Sequence, residues 1–377
     1  MTWTPRTRML AAYEGRRSDG VPVAPEFWYY IPARVLGIPM YQLELEVPHW
    51  QALQHTFRHY GCDGWGIVAP GVPGEWEGGD STQVRKTGEG QYEERSESVV
   101  AGRSLVWRRV LDASEPSWIL ERPIKDFGLD WPAYERLAFV PPDELDWHEV
   151  QSALDAVGDD YLLEVYVGMP FVDFAGGPRE GGLPQVVMDL VDHEADMAAL
   201  QARYIDYLVS KVEAAFAYTS ARSVFVASGW SSISLLSPRV WRRWEKPVLE
   251  AVVQTAHACG GLVHHHFHGR CMAVLTELAT LGLDCICPFE RPPGGDVTDL
   301  QRVRATLSER TAFNGNVHTV RTLIDGDSAA VRAEVLEILE AFEGSQRLIV
   351  GTGDQVGAET PDDNIYAMIE TVRAYSA

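Results

Sequence analysis

Apolar positions along the chain follow two rhythms. Short runs of four to seven mostly apolar residues alternate with longer stretches in which apolar residues return every three or four positions. A strand repeats every two residues and a helix every 3.6, so the alternation predicts an α/β fold. From residue 144 onward the pattern is regular. Strands are predicted over 161–167, 223–227, 261–266, 284–287, 311–314 and 347–350. Helices are predicted over 144–157, 183–191, 194–217, 238–259, 272–282, 300–306, 328–343 and 362–375. The first part of the chain adds helices over 6–13 and 47–60 and strands over 21–27 and 64–68. Strands alternating with helices specify a parallel sheet with crossover connections, and about eight strands fit a closed (β/α)8 TIM barrel better than an open sheet. No glycine-rich phosphate loop opens any helix, which leaves a nucleotide-binding sheet without support. Residues 83–112 break the rhythm with charged alternation and two glycine turns. They read as an antiparallel β-ribbon inserted into a single domain spanning 1–377.

The most informative stretch is Gly261 to Gly269, GLVHHHFHG. Strand alternation puts His264, His266 and His268 on one face and His265 and Phe267 on the other. Two imidazoles at i and i+2 on a strand end can reach one ion, and imidazole suits Zn and several other transition metals. Buried histidines hydrogen-bonded without a metal are the alternative.

In a barrel the chemistry sits at the carboxyl ends of the strands. Trp28, Tyr29 and Tyr30 follow the first predicted strand, and the Pro-Gly-rich residues 69–76 follow the second. Asp173 and Trp230 follow the next two, then His266 and His268. Cys287 and Glu290 come after the strand at 284–287, Asn314, Asn316 and His318 after that at 311–314, and Asp354 after the last. A catalytic divalent ion needs about three protein donors with one position open. His266, His268 and Asp354 can supply them, with Glu290 or Cys287 as a fourth ligand or a neighbouring base. Glu290 or His318 is the expected proton-transfer partner. Trp28, Tyr29, Tyr30, Asp173, Trp230 and Asn316 are expected to contact substrate.

Bulk properties narrow the partners. A net charge of -22 with no basic stretch argues against nucleic acid. Five cysteines lack framework spacing, which implies no disulfides and a reducing, cytoplasmic setting. No apolar run is long enough for a signal peptide or membrane span. A homodimer is compatible with all of this.

The sequence resembles the uroporphyrinogen decarboxylase superfamily, which includes zinc-dependent methyltransferases acting between corrinoids and thiols. The resemblance lies in TPRTRMLAAYEGRRSDGVPVAPEFW, in LLSPRVWRRWEKPVLEAV, and in HHHFHGRCMAVLTELATLGLDCICPFE, FNGNVHTVRTLIDG and GTGDQVGAETPDDNIYAMIETVRAY. It implies a (β/α)8 barrel over nearly the whole chain. The methyltransferase branch is similar in a His-x-Cys-Gly segment and in a later Gly-Cys ahead of a Thr-Pro-x-x-Asn-Ile helix start. Here His268 and Asp354 stand where that branch has its cysteines, which implies a harder ion site, suited to polarising a carbonyl or activating water more than to binding a thiol. The decarboxylase branch has an arginine-rich segment after the first strand; here PEFWYYIPARV offers Arg34 alone. The reading favoured is a zinc-dependent, or other divalent-metal, enzyme that transfers a methyl or other group on a small molecule, with a corrinoid on a separate carrier protein as a candidate partner. The alternative is a metal-independent carboxy-lyase using Arg34 and Asp173. A non-catalytic carrier is a third reading, and the chain has no Asp-x-His-x-x-Gly corrinoid segment to support it.

Overall fold

The computed structural model describes residues 2–72 and 79–376. Half of the predicted loop at 69–76, residues 73–76, therefore lies outside the described residues. In chain order the strands are β1 (Val23–Ala24), β2 (Trp65–Val68), β3 (Asp80–Gly88), β4 (Gln91–Val100), β5 (Arg103–Asp112), β6 (Trp118–Glu121), β7 (Leu162–Gly168), β8 (Ser223–Ser228), β9 (Leu262–Phe267), β10 (Cys285–Cys287), β11 (Ala312–Val317) and β12 (Leu348–Thr352). Eight of them form a curled sheet in the order β1-β12-β11-β10-β9-β8-β7-β2. Every neighbouring pair in it is parallel. With helices on its outer face this is a (β/α)8 TIM-barrel-like fold, as the residue rhythm predicts. No ladder joins β1 to β2 among the described residues, so the sheet has a seam there.

Two apolar layers hold the barrel. Inside it, Trp65, Leu162, Phe225, Cys285, Cys287, Ala312 and Ile349 pack together. Below them the helix Pro5–Glu14 closes the amino end with Met9, Leu10 and Tyr13. Thr4 caps that helix by accepting from the Thr7 amide, and Pro5 occupies its first turn. The outer layer packs strand residues such as Val224, Val263 and Phe267 against the helices. Each large side chain fully buried in this way contributes about 1.5–3 kcal/mol. Strand alternation therefore assigns each residue of β9 to one layer: His264 inward, His265 and Phe267 outward.

Several predicted bounds shift. The strand predicted over 21–27 shrinks to β1, and Tyr30 opens a helix, Tyr30–Leu36, instead of lying in a loop. The helix predicted over 238–259 divides at Glu245 into Pro238–Trp244 and Lys246–Ala258, because Pro247 has no N–H to continue the first. The ribbon at 83–112 is part of a larger four-stranded antiparallel sheet, β3-β4-β5-β6. Val100 and Leu105 seat that sheet on Ala133 of a helix not predicted, Phe127–Ala138. No helix among the described residues is long and apolar enough to cross a membrane.

Candidate metal centre

The parallel register sets the centre. Pairing of β9 with β10 aligns His264 with Cys285 and His266 with Cys287. Laterally paired residues of a parallel sheet point to the same side, so both imidazoles and both thiols face the barrel interior.

The polar groups stack in three levels along the barrel axis. At the lowest, His264 Nδ1 lies 2.8 Å from Glu164 Oε2 and 2.9 Å from the Tyr13 hydroxyl. His264 Nε2 lies 3.1 Å from Cys287 Sγ. His264 and Glu164 are both fully buried. In the Nδ1–H tautomer, His264 donates to Glu164 and accepts the thiol proton of Cys287.

In the middle level, Cys287 Sγ is 3.4 Å from His266 Nδ1, which is 3.9 Å from Glu26 Oε1. These three donor atoms all lie within 4.8 Å of one another. Trp28 Nε1 donates to the Glu26 carboxylate. Burial, reinforced by Asp354, holds the Glu26 carboxyl pKa well above its ordinary value. Burial, reinforced by His268, pushes His266 well below its own. The Cys287 thiol is raised by burial and by Glu26. Burial thus favours the uncharged form of each of these groups.

The upper level is His268, Glu290 and Asp354, again with donor atoms within 4.8 Å of one another. His268 Nδ1 is 2.9 Å from Glu290 Oε1 and 3.8 Å from Asp354 Oδ2. The hydrogen bond to Glu290 raises His268 to about 9. The rings of His266 and His268 are parallel within 11° at a centroid separation of 6.1 Å. Glu290 is fixed by the Gly269 amide, which donates to it, and by a tight glycine turn. A side chain at Gly295 would put its Cβ 2.1 Å from the Glu290 carbonyl oxygen. Thr352 ties two levels together, accepting from the Glu26 amide at 3.0 Å and donating to the Asp354 carbonyl at 2.6 Å.

The expected ligands His266, His268 and Asp354 thus lie on the same rim, divided between two adjacent groups. Glu26 and the pair Glu164 and Tyr13 were not singled out in the sequence. Glu26 sits two residues after Ala24 in the strand-exit direction, and a carboxylate in step with an inward face was the available signal. Cys287, placed at the strand end, is an inner-face donor.

Other expected site residues go elsewhere. Asn316 is buried behind the rim, donating to the Phe289 carbonyl at 2.8 Å, and supports the Glu290 turn. His318 accepts from the Arg321 amide and faces Pro292, lining a cavity of about 570 Å³ shared with Glu290 and Asp354. Three residues expected to contact substrate have partners within the protein. Tyr30 donates to Glu115 of the inserted sheet region. Asp173 accepts the amides of Gly229, Trp230 and Ser231, fixing the loop after β8. Trp230 lies against Gly176 and Gly182, with Arg122 over its ring at 5.9 Å. The alternative lyase pair is not assembled. Arg34 is taken up by Asp362 at 2.7 Å and the Thr360 carbonyl at 2.8 Å, which ties down the last helix. Trp28 and Tyr29 do line a cavity, of about 650 Å³.

Comparison with known proteins gives a consistent picture. The family model described as uroporphyrinogen decarboxylase (URO-D) matches residues 150–375. A uroporphyrinogen decarboxylase from Azoarcus sp. is 24% identical over 68% of this chain and 70% of its own length. One from Thermus thermophilus is 26% identical over 57% of this chain and 63% of its own. Among solved structures, a methyltransferase from Methanosarcina mazei superposes with a TM-score of 0.64 at 18% identity, covering 100% of both chains, a likeness of fold.

Proposed function

The chain belongs to the uroporphyrinogen decarboxylase family, and on that premise we propose that it is a divalent-metal enzyme transferring a methyl or other group on a small organic substrate. The observation that carries the reading is the middle donor group. Tetrahedral zinc with bonds of about 2.0–2.3 Å separates its ligand atoms by roughly 3.3–3.7 Å. The 3.4 Å from Cys287 Sγ to His266 Nδ1 fits that edge, and the 3.9 Å to Glu26 is slightly long. The donors come from β10, β9 and the segment after β1, and burial favours their uncharged forms, so a bound cation would displace protons from the carboxyl and the thiol.

A divalent ion held there supplies Lewis acidity toward the oxygen or leaving group of the substrate. The chain's own residues do the rest. His264 and Glu164 orient the Cys287 thiol from below. Glu290, hydrogen-bonded to His268, holds and moves a proton at the upper level, and Asp354 closes that level from β12. Zinc suits an imidazole, thiolate and carboxylate set. The fold likeness to a methyltransferase supports methyl transfer, and a corrinoid on a separate carrier protein is the partner we propose for it. The lyase reading has less support, since Arg34 and Asp173 are engaged elsewhere. Cobalt(II) loading tests the assignment. A thiolate-to-cobalt absorption in the wild type that disappears in Cys287→Ala is expected; a wild type that binds cobalt without that band overturns it.

A further inference from the structure

The cavity of about 650 Å³ opens at the seam between β1 and β2. Its aromatic wall is Trp28, Tyr29 and His49. Trp28 and His49 stack at 5.4 Å within 15°, and Tyr29 meets His49 at 6.0 Å. His49 contacts the Trp28 carbonyl at 2.6 Å, and burial lowers its pKa, so it presents a neutral ring. The ionic lining consists of carboxylates: Glu44, Glu46 and Glu149. Glu44 is occupied by the Ser117 hydroxyl at 2.6 Å and by Arg109 at 3.5 Å. Arg109 is itself shared with Glu94 at 2.8 Å. Among the described residues Glu46 accepts from the neutral Gln42, and neither Glu46 nor Glu149 is in an ion pair. Aromatic faces backed by uncompensated carboxylates attract cations, and alkylammonium groups are recognised by such walls. Trp28 also donates to Glu26 of the middle donor group, so the cavity adjoins the centre through one residue.

We propose that this cavity binds a small alkylammonium cation, and that the substrate of the rim is of that class. The second half rests on the group-transfer reading; the binding itself does not. The test is calorimetric titration of the full chain with choline and with 3,3-dimethylbutan-1-ol, its uncharged carbon isostere. Choline is expected to bind at least about ten-fold more tightly than the isostere. Tyr29→Leu should weaken choline by about three- to thirty-fold, the range of one cation–aromatic contact. Glu149→Gln, at an exposed position, should weaken choline several-fold without affecting the isostere. Equal binding of both compounds, no binding of choline, or choline binding unchanged in both variants overturns the proposal. Metal content is measured in the same samples. Normal metal without choline binding defeats the cation site alone, and choline binding without metal defeats the rim reading alone.

Discussion

Removing the His264 imidazole is a decisive perturbation, because it separates structural histidines from those available to an ion. His264 is fully buried and holds the buried Glu164 carboxylate at 2.8 Å. Glu164 Oε1 has no hydrogen-bond partner, and its other oxygen would keep only the Tyr13 hydroxyl at 3.4 Å. Breaking one side of a buried polar pair costs about 3–5 kcal/mol, much of it from the uncompensated partner. An entropy of unfolding near 2.1 cal/mol/K per residue makes that a fall of about 4–6 °C in Tm for a chain of this size. His264→Ala should therefore lower stability by that amount in guanidinium unfolding. The double variant Glu164→Leu/His264→Leu should recover most of the loss, since replacing both partners with apolar groups leaves no unsatisfied buried polar group. Both variants should still take up metal, but about 10–100-fold more weakly, because His264 orients the Cys287 thiol. A loss under 1 kcal/mol in His264→Ala, or a double variant no more stable than the single, would refute this account of the barrel floor.

Other consequences follow from the same geometry. A structural zinc site of four ligands is worth about 10–16 kcal/mol, or roughly 2.5–4 per ligand, so Cys287→Ala should weaken zinc binding by about two to three orders of magnitude in a chelator competition. Because Glu26 and Cys287 both have raised pKa values, ion binding should release one to two protons and tighten as pH rises; equal calorimetric enthalpies in buffers of different ionisation heat would contradict this. Burial lowers His265 to about 4, below its ordinary 6.5. The unfolded chain then takes up the proton first, so stability is complete above 6.5 and falls as pH drops from there toward 4, by about 3 kcal/mol as an order of magnitude. His265→Gln should flatten that part of the stability–pH curve measured by urea unfolding. Arg34→Ala should loosen the last helix, read by faster amide exchange over residues 362–375, and leave metal uptake unchanged.

Much of this was legible because period-two alternation is strict. The run at 264–268 announces its faces, and the structure puts His264 and His266 inside and His265 and Phe267 outside. The depth of each histidine was not legible, since it depends on register with β10 and β8, and register comes from pairings distant in sequence. Glu164 illustrates this: within an apolar strand it reads as a lone mid-strand carboxylate until His264 is seen opposite. The partners of Tyr30, Asp173 and Trp230 were not legible for a different reason. Strand ends locate the rim, but the hydrogen bonds of each loop decide what its side chains meet, and the amides of the loop after β8 bond to Asp173. The unpredicted helices Met40–Glu46 and Phe171–Gly176 are too short for periodicity to register.

Elemental analysis of freshly purified wild type and of His266→Ala bears most directly on the proposed centre. About one equivalent of zinc or another divalent metal in the wild type, and a near-complete loss in a His266→Ala protein that still unfolds cooperatively, is the predicted result. A wild type free of metal that also fails to take up added zinc would contradict it.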